Sequence, residues 1–269
     1  MFNNPSQSPE TNTTFTEEKE EISVIMPALN EEENIESAVN SVIKSFKNLG
    51  IRGEIIVVND GSTDRTEEIV SRLMKSNDSV RLLTHSHPEG IGASFWDGVD
   101  NSRGEVVVML PGDNENEPSE ILRYFFLLRH VDVVVPFLFN REVRSVLRNI
   151  LSGMYRFIIN TTFGLNFNYT NGTVMYRKSI LQEVSYRATG FFYQTDILVR
   201  VARRGYLFAE VPYRIGVRKR GVSKALTFSS LCEVVKGYLR LIKDCYFGGE
   251  KRKQTFVDGS VSADRYKDG

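Results

Sequence analysis

The chain is poor in the residues that mark out several classes of protein. It has two cysteines, three histidines and one tryptophan in 269 residues. Cys232 and Cys245 stand 13 apart in one predicted helix. Helical rise separates them by about 20 Å, beyond the reach of a disulfide. Two such cysteines fit a reducing compartment. With His85, His87 and His130 they form no zinc-binding spacing. Long hydrophobic runs are missing too. The best candidate for one, residues 143–163, is broken by Arg144, Arg148 and Arg156, short of the ~20 apolar residues that a membrane span needs. The first residues are polar and acidic and carry no secretion-signal pattern. The expectation is a cytoplasmic protein that meets a membrane only peripherally, from its cytoplasmic face.

Net charge is absent as well, with 34 Lys and Arg against 34 Asp and Glu. The zero hides a split. Residues 1–128 hold 10 basic and 23 acidic side chains, a net −13, while residues 129–253 hold 22 and 8, a net +14. The remaining 16 residues hold 2 and 3. Such asymmetry predicts a basic surface with an anionic partner. No nucleic-acid-binding motif accompanies it, and no aromatics are interleaved as stacking platforms, so nucleic acid is not the expected partner.

What is present is a regular alternation. Residues 1–20 and 248–269 are polar and expected to be disordered. Between them, apolar strands at 22–26, 54–58, 80–84, 106–110 and 131–136 alternate with helices at 31–46, 65–75, 91–101 and 119–128. Asn30 is a plausible cap of the first helix. Fully apolar strands in βαβ order predict an α/β fold, a mostly parallel sheet with helices on both faces. Ligands of such sheets bind beyond the strands' C-terminal ends. That singles out the loops 27–30, 59–63 and 111–118. Later elements are expected at 141–163 (helix), 173–176 (strand), 195–204 (helix), 206–211 (strand) and 226–246 (a long amphipathic helix).

The loop Asn59-Asp60-Gly61-Ser62-Thr63-Asp64 can hold a base or ribose on Asp60, and it can equally be a capped βα turn. The loop 111–118 carries Asp113, Glu115 and Glu117. These hard oxygen donors suit Mg²⁺ or Mn²⁺, although a polar turn before a helix reads the same way. Arg144, Arg148, Ser152 and Arg156 recur every four residues, along one stripe of a helix whose other side is apolar. Such a helix can lie on a membrane interface while its guanidinium groups grip phosphate, or it can show a solvated arginine face over a core helix.

In order and spacing, ISVIMPALNEE (22–32), EIIVVNDGSTD (54–64), GIGASFWDGVDNSRGE (90–105) and the acidic loop resemble the family 2 glycosyltransferases, which have the GT-A fold. Arg148 with Ser152, then the segments 168–172, 190–196, 210–212 and 218–224, resemble its dolichyl and polyprenyl-phosphate mannose synthase branch. The resemblance covers roughly residues 22–224. It implies a nucleotide-sugar half at about 21–128 and an acceptor half at about 129–225, followed by the amphipathic helix at 226–247.

It further implies inverting transfer of a hexose from a UDP- or GDP-linked donor to a polyprenyl phosphate, with Mg²⁺ or Mn²⁺. By position, Pro27, Leu29, Glu31, Val58 and Asp60 hold the nucleotide. Asp113 and Glu115 hold the metal. Arg148, Ser152, Arg218 and Lys224 hold phosphate, and Asp196 is an acidic group on the acceptor side, the base if the acceptor is a hydroxyl. Two other readings stay open: transfer to a saccharide, and nucleotide-sugar binding without catalysis. The chain departs from the family in having Asn59 where an acid is usual and Asn168 where Asp is common. Its acidic loop also fits the usual Asp-x-Asp count only after a shift of one residue.

Overall fold

The computed structural model describes residues 21–170, 172–214, 228–248 and 256–267. Seven strands form one sheet: β1 (Ile22–Ala28), β2 (Gly53–Asn59), β3 (Val80–Thr84), β4 (Val106–Met109), β5 (Val133–Leu138), β6 (Met175–Arg177) and β7 (Phe208–Tyr213). Their order is β3-β2-β1-β4-β6-β5-β7. Every neighbouring pair is parallel except those of β6, which runs against β4 and β5. The mostly parallel α/β sheet read from the sequence is therefore the architecture found.

The central apolar strands β1, β2, β4 and β5 are buried on both faces, as their composition dictates, while β3 and β7 at the sheet's ends are partly exposed. On one face Val24, Met26, Ile55, Val57, Val106 and Val108 share a core with α1 (Ile35–Leu49), α2 (Thr66–Ser76) and α4 (Pro118–Leu122). On the other face Ile25, Ile56, Val58, Val107 and Met109 share a core with α3 (Ile91–Asn101), α6 (Lys178–Leu181) and α7 (Tyr193–Arg204). A third layer is built on α7. Ile159 and Phe163 of α5 (Val146–Phe163) and Leu241 of α8 (Phe228–Phe247) pack with its Val199.

Several expected boundaries move. Asn30 does not cap α1. It adopts a left-handed φ of 57°, its side chain accepts from the Thr63 N–H, and the helix begins only at Ile35. The helix expected at 119–128 breaks into α4 and a 3₁₀ turn, Phe125–Arg129. Ser145 stops the helix expected at 141–163 from starting early, because its side chain caps α5 by accepting from Arg148 N–H. Arg144 therefore precedes the helix instead of lying on it.

The tail is not wholly irregular. Residues 256–267 fold back onto the domain and end in α9 (Val261–Lys267). Buried Asp132 accepts from the N–H groups of Val261 and Ser262 and from the Ser262 hydroxyl. Local composition carries no sign of a partner some 130 residues away.

No helix among the described residues is long and apolar enough to cross a membrane.

Candidate active site

The topology gathers seven chain segments at one sheet edge. Loops after β1, β2, β3, β4 and β5 leave by the C-terminal ends of parallel strands. Because β6 is reversed, residues before it arrive at that same edge, and β7 also ends there, at Tyr213. Arg218 and Lys224 follow Tyr213 in the chain but lie outside the described residues, as does Asn171.

The first three loops are tied together by backbone. Gly112 N–H donates to the Pro27 carbonyl at 3.0 Å, and Asp60 N–H to that of Ala28 at 2.9 Å. Side chains add to this. Asn30 N–H donates to Ser62 Oγ, Glu31 N–H to Thr66 Oγ1, and Glu32 N–H to Asp64 Oδ2. Glu31 also accepts from Asn34 Nδ2 at 2.8 Å. Pro27 and Leu29 are half-buried at the edge. Val58 is fully buried in β2, so its side chain belongs to the core and not to the edge.

Two departures from the family pattern have a physical reason here. Asn59 donates through Nδ2 to Glu67 Oε2 at 3.0 Å, and Asn168 donates through Nδ2 to Glu210 Oε2 at 2.9 Å. An aspartate at either position would face a glutamate carboxylate instead.

In the acidic loop, Asp113 Oδ1 accepts from Glu115 N–H at 3.1 Å, and both residues are half-buried. Asn114, at φ 56°, turns outward and donates to Ser37 Oγ. Gly112 is backed against Ile35, where a Cβ would come within 2.8 Å of its Cδ1. Among the residues from Gly112 to Glu115, the carboxylates at 113 and 115 are thus the donors suited to a hard cation that also takes diphosphate oxygens.

The basic segments face this loop. A cleft is lined by Leu138, Arg144, Asn149, Ser152, Arg156 and Tyr169. Arg144 donates to Tyr169 Oη at 3.1 Å, and Arg156 donates to the Asn168 carbonyl at 3.2 Å. Arg148 is exposed and lies outside that lining. Tyr213 lies within reach of charges from both the acidic loop and the basic segments. Burial first, then the Tyr169 and Glu115 fields, hold its hydroxyl above the usual range against the opposing pull of Arg144 and Arg148. Tyr169 lies in the segment 168–172 that carries the resemblance but has no role assigned to it there, and Tyr213 bears no motif.

Asp196 is placed differently from the expectation. Its two oxygens accept from Arg200 Nε at 2.8 Å and from Arg200 Nη2 at 3.2 Å, and it is 1% exposed. Arg200 also donates to Asp244 on α8 at 2.6 Å. Asp196 is thus an internal ion-pair partner joining α7 to α8, turned away from solvent.

A group of three metal-capable side chains, His85, Glu89 and Asp97, lies at the same edge. His85 was noted in the sequence only as lacking a zinc spacing. The signal that points to it is its place directly after β3, level with Asp60.

The Glycosyl transferase family 2 profile matches residues 23–185. Over 168 residues the chain is 29% identical to dodecaprenyl-phosphate galacturonate synthase from Rhizobium johnstonii, covering 61% of this chain and 50% of that protein. Over 122 residues it is 31% identical to a dolichyl-phosphate beta-glucosyltransferase from Trichomonas vaginalis, covering 44% and 37%. The chain therefore spans half or less of these relatives' lengths. Among solved structures, glucosyl-3-phosphoglycerate synthase from Mycobacterium tuberculosis with uridine diphosphate superposes with a TM-score of 0.61 at 22% identity, over 83% of this chain and 80% of that one. The same enzyme is also solved with Mn²⁺, UDP-glucose and phosphoglyceric acid. At that identity the likeness is one of fold. With the profile spanning more than half of its length, the chain belongs to glycosyl transferase family 2.

Proposed function

We propose that this protein moves a hexose from a nucleoside diphosphate sugar to a polyprenyl phosphate. The observation that carries the reading is the meeting, around Tyr213, of an acidic loop and an arginine cleft whose helix has an exposed apolar face. Pro27, Leu29, Glu31 and Asp60 take the nucleoside at the edge of β1 and β2. Asp113 and Glu115 would hold Mg²⁺ or Mn²⁺, which when bound neutralises the diphosphate leaving group. The acceptor phosphate enters the cleft of Arg144, Ser152 and Arg156, with Arg148, Arg218 and Lys224 adding positive charge. Its oxygen forms the new bond to the anomeric carbon as the bond to the diphosphate breaks on the opposite face, inverting that centre. A phosphate acceptor is already anionic near neutral pH and needs no general base. The paired, buried state of Asp196 fits that reading and disfavours a hydroxyl acceptor.

The apolar face supports a lipid acceptor. Val146, Leu147, Ile150, Met154 and Phe157 of α5 are all exposed, Phe157 by 70%. On α8, Leu231, Val235 and Leu239 are exposed while Val234, Tyr238 and Ile242 pack inward. Adjoining cations and apolar side chains of this kind favour peripheral contact with an anionic membrane.

The test supplies radiolabelled UDP- and GDP-sugars, polyprenyl phosphate and Mn²⁺. Label extracted into organic solvent is the expected result. Label only in saccharide supports the alternative acceptor, and nucleotide-sugar binding with no transfer supports a non-catalytic binding protein; either overturns the proposal.

A further inference from the structure

His85 is the first residue after β3, and its N–H donates to the Asn59 carbonyl at 2.9 Å. This bond sets its ring beside Asp60. Nδ1 lies 2.8 Å from Asp60 Oδ1, and Nε2 lies 3.0 Å from Asp97 Oδ2 on α3. A neutral imidazole has one N–H and so can donate to only one of the two carboxylates. The geometry calls for the charged ring, which donates to both.

The acids acting on the ring come from three places: Asp60 from the turn after β2, Glu89 from the ring's own loop, and Asp97 from α3. Neighbouring His87 turns instead to Ser86 Oγ. Burial alone lowers the affinity of His85 for a proton. The hydrogen bond and charge of Asp60, with the charges of Glu89 and Asp97, outweigh it and raise the pKa above the ordinary histidine value.

The rest of the Asp60 carboxylate is tightly organised. Oδ1 also accepts from Glu89 N–H at 2.7 Å, and Oδ2 accepts from Gly90 N–H at 3.0 Å. Gly61, at φ 72°, lets this loop close on the turn, since a Cβ there would come within 2.7 Å of the His87 backbone. One lone pair of Oδ2 remains to receive a nucleobase N–H, which uracil and guanine both offer.

We propose that His85 is a positioning residue for the donor: its charged, doubly donating ring fixes Asp60 in the orientation that receives the base, so the donor binds more tightly when the ring is protonated. The inference rests on the donor-nucleotide reading of this edge. Deprotonation makes Asp60 a stronger acceptor, which opposes the effect. It also leaves a 5%-exposed carboxylate without its cation, which is costly. The cluster of three acids then presents a net −3 instead of −2 to an incoming diphosphate. Lost orientation and added repulsion together outweigh the gain in acceptor strength.

The probes are UDP-glucose and GDP-mannose, whose diphosphates do not titrate in the window used. Affinity with Mn²⁺ is measured by calorimetry on the full chain from about pH 6 to 8.5, the range of a histidine transition. With three histidines in the chain, ring-proton NMR follows each one, and His85→Gln identifies the signal. Affinity of the bound donor should fall about tenfold as pH rises through the His85 midpoint, and by linkage the bound donor should raise that midpoint by about one unit. Asp97→Asn, at a half-exposed side chain, should lower the midpoint and carry the affinity transition with it. A structural role alone would not move the two together. A flat affinity profile for a donor that binds, or a transition that stays in place while the Asp97→Asn midpoint moves, overturns the inference and leaves the donor site standing. If neither nucleotide sugar binds the folded chain at any pH, the donor-site reading falls and this inference falls with it.

Discussion

Asp196 and Arg200, one turn apart on α7, form a two-bond ion pair, and Arg200 reaches on to Asp244 of α8 at 2.6 Å. The pair ties α7 to α8, the helix that carries an exposed apolar row. Loss of Asp196 leaves Arg200 with Asp244 as its remaining counter-charge, at 2.6 Å, and strips its Nε of a partner in a buried setting. Asp196→Ala should therefore destabilise the fold by about 1.5–3 kcal/mol, read as a lower denaturation midpoint. If Asp196→Asn keeps its stability but loses all transfer, the residue acts in the chemistry and its structural assignment is wrong.

Asp113→Ala should lower metal-dependent turnover at least about a hundredfold, the scale seen when electrostatic stabilisation of a leaving group is lost. Its thermal midpoint should stay near that of the parent, because the loop is at the surface. Full activity with Mn²⁺ would mean that the metal has been placed on the wrong residues.

Arg156→Ala and Arg144→Ala should each raise KM for the lipid phosphate by roughly 10–100-fold, as expected for a lost hydrogen bond to a charged group. The KM for the nucleotide sugar should stay within about twofold. Steady-state kinetics with each substrate varied in turn separate the two. Arg144→Ala also frees Tyr169 Oη, so Arg144→Lys is the control for local packing.

Phe157→Glu and Leu147→Glu change side chains that are 70% and 67% exposed, so folding stability should move by no more than about 0.5 kcal/mol. Sedimentation with anionic vesicles should nevertheless fall several-fold. Unchanged vesicle binding would assign this face to something other than a lipid surface.

The first half of the fold was legible because its strands are short, predominantly apolar runs followed by turn residues, and the loops at their C-terminal ends follow from the parallel sheet. The second half was less so. Strand β6 has three residues, too few to carry a period, and its reversal is decided by pairing with β4 and β5. Asp196 four residues before Arg200 is a readable helical pair. Its burial depends on α8, whose apolar residues divide between an inward and an outward row, a division that the single label of an amphipathic helix does not contain. His85 was hidden for a similar reason. Asp60 and Asp97 stand 25 residues before it and 12 after it, and only the sheet edge brings the three together.

The docking of α9 has a consequence for the order of events during synthesis. The Asp132 carboxylate is wholly buried, and its hydrogen-bond donors Val261 and Ser262 emerge from the ribosome some 130 residues after it. Until then Arg177, at 3.8 Å in the finished fold, is its charged neighbour. The sheet can pair from β1 onward as the chain appears, but the far end of β5 and β7 is sealed only when the last turn of helix arrives. A nascent chain stalled before residue 260 should expose that end to chaperones and proteases, while one that has docked α9 should not.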